Sequence, residues 1–198
     1  MNFETTAIIL LASGLSRRFG SDKLMSVLKE RPVLSHAAAL LQHEISCARL
    51  AVVGHEQSDR QSILQAHGWK IVHNRAPELG QGQSLAVGVA AALKYNPERL
   101  LILLGDMPYV PNDHLFALKN KIDAGYEAAM TRAGAVSMPP ALFTAHKGAT
   151  LARLTGDRGA KSVFETIQKK TLVDLQDDLA LDIDTPVDLE RVEAVFHG

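Results

Sequence analysis

Short apolar runs bounded by Gly, Pro or Asp alternate along this chain with longer segments in which apolar residues recur at helical spacing. The short runs predict strands at Ala7–Leu11, Leu50–Val53, Lys70–Val72, Leu100–Leu104 and Glu127–Thr131. The longer segments predict helices near Val33–His43, Gln57–His67, Ser84–Tyr95 and Asn112–Ala124, with Gly68 and Gly125 as C-terminal stops. Such alternation builds βαβ units around a parallel sheet. Ile8-Ile9-Leu10-Leu11 and Leu101-Ile102-Leu103-Leu104 are continuously apolar, as strands covered on both faces are, so both are expected near the sheet centre.

After Gly134 the pattern loosens. It predicts a short strand ending at Pro139-Pro140, helices near Phe143–Leu154 and Gly159–Gln168, a strand near Thr171–Leu175, and a last helix after Pro186. No repeat, low-complexity tract or linker interrupts the chain. The expectation is one α/β domain over residues 1–198, with 134–198 covering and extending an edge of the sheet.

Composition narrows the function classes. With 21 basic and 22 acidic side chains among 198 residues, the net charge is −1 and there is no broad positive field, which disfavours nucleic acid or an anionic membrane surface as the main partner. The apolar runs fall far short of the roughly 20 residues that span a bilayer, and Glu4 without Lys or Arg ahead of the first run argues against a signal peptide. A single cysteine, Cys47, fits a reducing compartment, so the expected location is the cytoplasm.

In open α/β sheets ligands bind beyond the carboxyl ends of the strands, which directs attention to two loops. Ala12 to Lys23 places Gly14, Gly20, three serines, Arg17, Arg18 and Lys23 directly after a buried strand. Glycine lets backbone N–H groups approach a phosphate, and the cations neutralise its charge. A solvated surface loop has similar composition, and spacing alone leaves both readings open. Gly105-Asp106-Met107-Pro108 follows the other apolar strand and offers Asp106 to Mg²⁺, a hard cation that prefers oxygen donors; a turn aspartate is the alternative. The acidic cluster Asp182 to Asp188 reads first as helix-capping material.

Several familiar motifs are excluded by the letters. The lysine lies three positions after Gly20, where a P-loop has it directly after the glycine, and Gly14-Leu15-Ser16-Arg17 continues to Arg18 where a nucleophile elbow needs glycine. Gly80-Gln81-Gly82 has Leu85 in the third position of a dinucleotide fingerprint, and the His-Glu pairs at His43 and His55 lack the second histidine of a zinc protease helix.

Taken together, the loops resemble a known family: the MobA-like NTP transferases, including the nucleotidyltransferases that join a nucleotide to the molybdenum cofactor. The run Leu11-Ala12-Ser13-Gly14-Leu15-Ser16-Arg17-Arg18-Phe19-Gly20-Ser21-Asp22-Lys23 is similar to that group's N-terminal motif. Gly80 to Leu85 with Gly88, Gly105 to Pro108, Thr155 to Lys161 and Asp182 to Pro186 follow in the family's order. The resemblance implies a three-layer α/β/α fold with a mostly parallel, Rossmann-like central sheet of the nucleotide-diphospho-sugar transferase type. It further implies that Leu11, Ala12 and Gly14, with Ser16 in the same loop, contact the nucleotide, that Arg18 and Lys23 hold the triphosphate, and that Gln83 and Ser84 line the base pocket. Asp106 would bind Mg²⁺ and Asp184 would be a second metal ligand.

The implied reaction is attack by an acceptor phosphate oxygen on the α-phosphorus of an NTP, with release of pyrophosphate and no covalent protein nucleophile. Arg18, Lys23 and Asp106 would carry the catalysis. Gln83-Ser84-Leu85 and Gly156-Asp157-Arg158-Gly159 look like the cytidylyl branch, so CTP is the expected donor and molybdopterin the expected acceptor; the first loop also suits the guanylyl branch. Ser13 departs from the usual small residue before the glycine, and Met138 stands where relatives often carry Asn or His on a segment facing the acceptor. Another phosphorylated acceptor, or a non-catalytic chaperone that hands the cofactor to a molybdoenzyme, is the alternative function.

Overall fold

A computed structural model describes residues 2–195. Strand β1 (Phe3–Leu11) is followed by a small hairpin of β2 (Val27–Leu28) and β3 (Arg31–Pro32), then helix α1 (Val33–Ala38) and strand β4 (Ser46–Gly54). Next come α2 (Ser58–Ala66), β5 (Lys70–Asn74), α3 (Gln81–Ala92), β6 (Arg99–Leu104) and α4 (Asn112–Asp123). The chain continues through β7 (Ala128–Ala133), β8 (Val136–Thr144), α5 (Gly148–Leu151), α6 (Ala160–Thr166), β9 (Lys170–Asp174) and α7 (Pro186–Val195). Seven strands form one sheet in the order β5-β4-β1-β6-β8-β7-β9. Only β8 runs against its neighbours, β6 and β7; the other pairings are parallel.

Continuous apolarity has the expected cause. In β1, Ile8 and Leu10 enter one core with Leu34, Leu64 and Leu115, while Ile9 and Leu11 enter the other with Leu85, Val89 and Phe164. Alternate residues of a pleated strand point to opposite faces, so a strand between two helical layers needs apolar side chains at every position. Helices α1, α2, α4 and α7 thus cover one face and α3, α5 and α6 the other. Helix α3 approaches β1 and β4 closely enough that a Cβ at Gly88 would lie 2.7 Å from the methyls of Ile9 and Val52.

Local pattern misleads where tertiary pairing overrides it. Phe143, expected in a helix, is fully buried in β8, paired with Leu100 and Ala128; the helix there is only Gly148–Leu151, after a 3-10 turn at Ala145–Lys147. Pro139-Pro140 does not end the strand. The β7–β8 register shifts between Met130 and Thr131, and the Thr131 hydroxyl donates to the Pro140 carbonyl at 2.8 Å, satisfying a carbonyl at the break in the ladder. Of the segment after Gly134, β8 lies inside the sheet between β6 and β7, and β9 forms the outer edge beside β7. The first helix stops at Ala38 and not near His43, because Arg49 draws the carbonyls of Ala38, Leu40 and Leu41 to itself and Leu41 turns left-handed at φ 52°.

Candidate active site

Strands β1 and β6 are neighbours in register, Leu11 opposite Leu104, so the loops leaving their carboxyl ends emerge side by side. The Gly105 N–H donates to the Leu11 carbonyl at 2.9 Å, and the Ala12 N–H reaches the Val52 carbonyl of β4 at 2.8 Å. A Cβ on Gly105 would crowd Leu34 and the Leu11 carbonyl at 3.1 and 3.2 Å. Between the two loops opens a cleft of about 560 Å³, within the range of small-molecule sites.

Leu11, Ala12, Gly14, Ser16, Arg18, Lys23, Ser84, Asp106 and Asp184 all line it. Gln83 does not. Helix α3 begins at Gln81, and a residue two positions on lies roughly 200° round the helix, whereas Ser84, three on, shares the face of Gln81. Gln81 therefore lines the cleft in place of the expected Gln83.

Lys23 is the centre of the polar end. Its Nζ donates to Asp106 Oδ2 at 2.7 Å and to Asp184 Oδ1 at 2.8 Å, which puts those two oxygens no more than about 5.5 Å apart. Burial works against the ammonium, but the two carboxylates outweigh it and raise the Lys23 pKa. Arg18, with a side chain 80% exposed, reaches Asp184 Oδ2 at 3.1 Å and stands at the mouth. Asp182 also lines the cleft; desolvation there, then the charges of Asp106 and Asp184, push its carboxyl up although it touches solvent.

The acidic cluster divides its labour. Asp188 Oδ2 accepts from the N–H groups of Asp184 and Thr185 at 3.2 and 2.8 Å and from the Thr185 hydroxyl at 2.8 Å, while the Asp188 N–H donates back to that hydroxyl at 3.3 Å. This reciprocal cap opens α7 and fixes the backbone from which Asp184 reaches Lys23. The Ile183 N–H donates to the Asp106 carbonyl at 3.1 Å, joining the two acidic segments directly.

Two features, around Arg60 and Asn74, escaped the sequence pattern, and a third residue, Asp157, lay in the Thr155 to Lys161 motif without a role. Arg60 of α2, only 2% exposed, forms a two-pronged ion pair with Asp22 at 2.6 and 2.9 Å beneath the first loop. Asn74, fully buried at the end of β5, donates to Ser84 Oγ at 3.0 Å, and Ser84 shares a 2.6 Å hydrogen bond with Ser13, so the unusual Ser13 is held by helix α3. Asp157 lines the cleft from a loop whose Gly156 carbonyl accepts from the Gly82 N–H at 2.8 Å. Arg60 and Asn74 carry no local signal, since each depends on a partner distant in sequence.

The donor set suits a divalent cation. Carboxylate oxygens are hard ligands, and Mg²⁺ is commonly held by one or two carboxylates together with substrate phosphates. Among the described residues no three His, Cys, Asp or Glu side chains form a metal-ligand group. Instead the Lys23 ammonium lies between Asp106 and Asp184, where positive charge is needed.

A family model described as the MobA-like NTP transferase domain matches residues 8–172. The chain belongs to that family. As a MobA-like NTP transferase it is 29% identical over 197 residues to the purine catabolism protein PucB of Bacillus subtilis (strain 168), with 93% of this chain and 94% of the relative covered. It is 26% identical to a molybdenum cofactor guanylyltransferase of Shewanella halifaxensis (strain HAW-EB4), over 59% of this chain and 55% of the relative. Its fold matches the Rv0371c–manganese complex from Mycobacterium tuberculosis H37Rv at TM-score 0.77, 20% identity, covering 96% of this chain and 98% of that one. It also matches 4-diphosphocytidyl-2C-methyl-D-erythritol synthase from Anaerococcus prevotii DSM 20548 at TM-score 0.80, 15% identity, covering 100% and 97%. The protein is a nucleotidyltransferase of the MobA-like family.

Proposed function

We propose that this nucleotidyltransferase moves CMP from CTP to the phosphate of molybdopterin, releasing pyrophosphate. The observation that carries the reading is the convergence of Lys23, Asp106 and Asp184 on one cleft whose other wall is Ser84 and the loop from Leu11 to Arg18. In this reading the Ser84 end takes the base and the Lys23 end takes the phosphates.

An acceptor phosphate oxygen would form a bond to the α-phosphorus as the bond to the bridging oxygen breaks, and both electrons leave with pyrophosphate. No side chain needs to become covalently attached. Lys23 and Arg18 stabilise negative charge developing on the α-phosphoryl and leaving oxygens, and the preformed pocket holds donor and acceptor in line. Asp106 and Asp184 would hold Mg²⁺, which when bound shields the triphosphate and polarises the reacting phosphoryl group. With Asp106 and Asp184 engaged on such a cation, the Lys23 ammonium they now hold would be available to phosphate.

The test is pyrophosphate release from each of CTP, GTP, ATP and UTP with molybdopterin, and with sugar or alcohol phosphates as alternative acceptors. Turnover restricted to CTP and molybdopterin supports the proposal. A tenfold higher kcat/KM for GTP would favour the guanylyl reading, which two observations recommend: Gln83 stands outside the cleft, and one relative is named a guanylyltransferase. Cofactor binding without any pyrophosphate release would point to a chaperone for a molybdoenzyme. The single cysteine keeps the cytoplasm as the proposed compartment.

A further inference from the structure

The two edges of the loop after β1 differ in polarity. From the α2 side, Arg60 Nη1 donates to the carbonyls of Ala12 and Gly14 at 2.6 and 2.9 Å, and Gln57 Nε2 lies 3.4 Å from those of Ser13 and Gly14. Three consecutive carbonyls are therefore turned towards α2. The backbone N–H groups from Ser13 to Arg18, by contrast, donate to no group among the described residues. Ser16 lies in the left-handed region at φ 51°, and the residues from Ser13 to Arg18 line the cleft. Consecutive unspent N–H groups around a left-handed residue form an anion-binding concavity.

The remaining prongs of Arg60 hold the far end of the loop. Nε and Nη2 bind both oxygens of Asp22, whose Oδ1 also accepts from the Leu24 N–H at 3.1 Å, one residue beyond Lys23. One buried guanidinium thus ties the start of the loop to its end, and Gln57 is anchored in turn because its Oε1 accepts from the Gly54 N–H at 2.7 Å.

We propose that Arg60, assisted by Gln57, is a positioning residue for phosphate binding: by occupying the carbonyls of Ala12, Ser13 and Gly14 from behind, it orients the N–H groups of Ser13 to Arg18 into the cleft as a polyphosphate cradle. Arg60 touches no substrate itself. The proposal rests on the reading of this loop as the triphosphate site, and it adds the reason the loop presents donors and not acceptors. A lysine could not replace Arg60, because a single ammonium cannot span two carbonyls and both carboxylate oxygens in that planar arrangement.

The experiment is titration of the full chain with inorganic tripolyphosphate in metal-free buffer, followed by calorimetry and by NMR of the backbone amides. In the unaltered protein the Ser13 to Arg18 amides should shift on binding. Arg60→Lys and Arg60→Gln should each weaken affinity by at least tenfold and shrink those shifts, in protein whose circular dichroism is unchanged. Should both unfold, Gln57→Glu carries the test: its carboxylate keeps the bond to Gly54 but repels the Ser13 and Gly14 carbonyls, and affinity should fall severalfold. Folded variants that bind tripolyphosphate as tightly as the unaltered protein, with the same amide shifts, would overturn the role of Arg60 and Gln57 while leaving the loop as a phosphate site. If the unaltered protein binds tripolyphosphate without shifting these amides, or not at all, the cradle is wrong and so is the reading of the loop.

Discussion

Lys23 and Asp184 lie 161 positions apart in sequence, yet the lysine ammonium meets the carboxylate at 2.8 Å across the cleft. The contact closes a circuit from the first loop to the cap of the last helix and brings Asp106, on the loop after β6, within 2.7 Å of the same nitrogen. Two carboxylates this close repel each other unless a cation intervenes.

That repulsion makes the three positions unequal. Lys23→Ala should slow turnover by roughly 10²-fold or more, since it removes both the charge proposed to meet phosphate and the cation between the carboxylates. Folding should survive, because the side chains of Asp106 and Asp184 both keep contact with solvent. Steady-state pyrophosphate release with a parallel melting curve checks this, and unchanged turnover in folded protein would remove Lys23 from the site.

Asp106→Asn and Asp184→Asn should both depress turnover and raise the Mg²⁺ concentration needed for half-maximal rate. Asp106 should be the more sensitive, with a side chain 21% exposed against 42% for Asp184. Asp188→Asn should also lower activity a few-fold, because Asp188 holds the backbone of Asp184. Metal titrations of the three variants give the order.

Gly88→Ala should destabilise the fold by about 1–3 kcal/mol through overpacking, since the new methyl would press on Ile9 and Val52 at 2.7 Å, inside the hydrophobic core. Urea unfolding measures it directly. A neutral result would mean that α3 moves off the sheet freely, in which case Ser84 should lose its hydrogen bond to Ser13 and the base preference should broaden.

Acid should weaken the protein partly through His114. This buried ring donates from Nε2 to Thr131 Oγ1 at 2.8 Å, because that hydroxyl is itself donating to Pro140, and burial lowers the His114 pKa below 6.5. In the pH range just below 6.5 the unfolded chain binds a proton that the folded chain refuses, so stability falls as pH falls through that range. His114→Gln should flatten this part of the urea midpoint against pH, measured between pH 7.5 and roughly 5.5. His36, also lowered by burial, contributes a remaining slope.

Much of the architecture was legible because it is local. Apolar runs named the five strands that carry the parallel βαβ units, and Gly68 and Gly125 do take the left-handed conformation that ends a helix. The family's motifs also selected the residues at the cleft, apart from Gln83, whose side of the helix depends on where α3 starts. Sequence by itself could not place β8. Ala141, Leu142 and Phe143 become a strand because β6 and β7 offer them unpaired edges on both sides, an attraction between segments tens of residues apart. The same limit hid Arg60 and Asn74, which read as ordinary polar residues of a helix and a strand end. A buried guanidinium is stable only where a carboxylate and carbonyls converge on it, and that convergence of Asp22, Ala12 and Gly14 exists only once α2 has packed beneath the first loop.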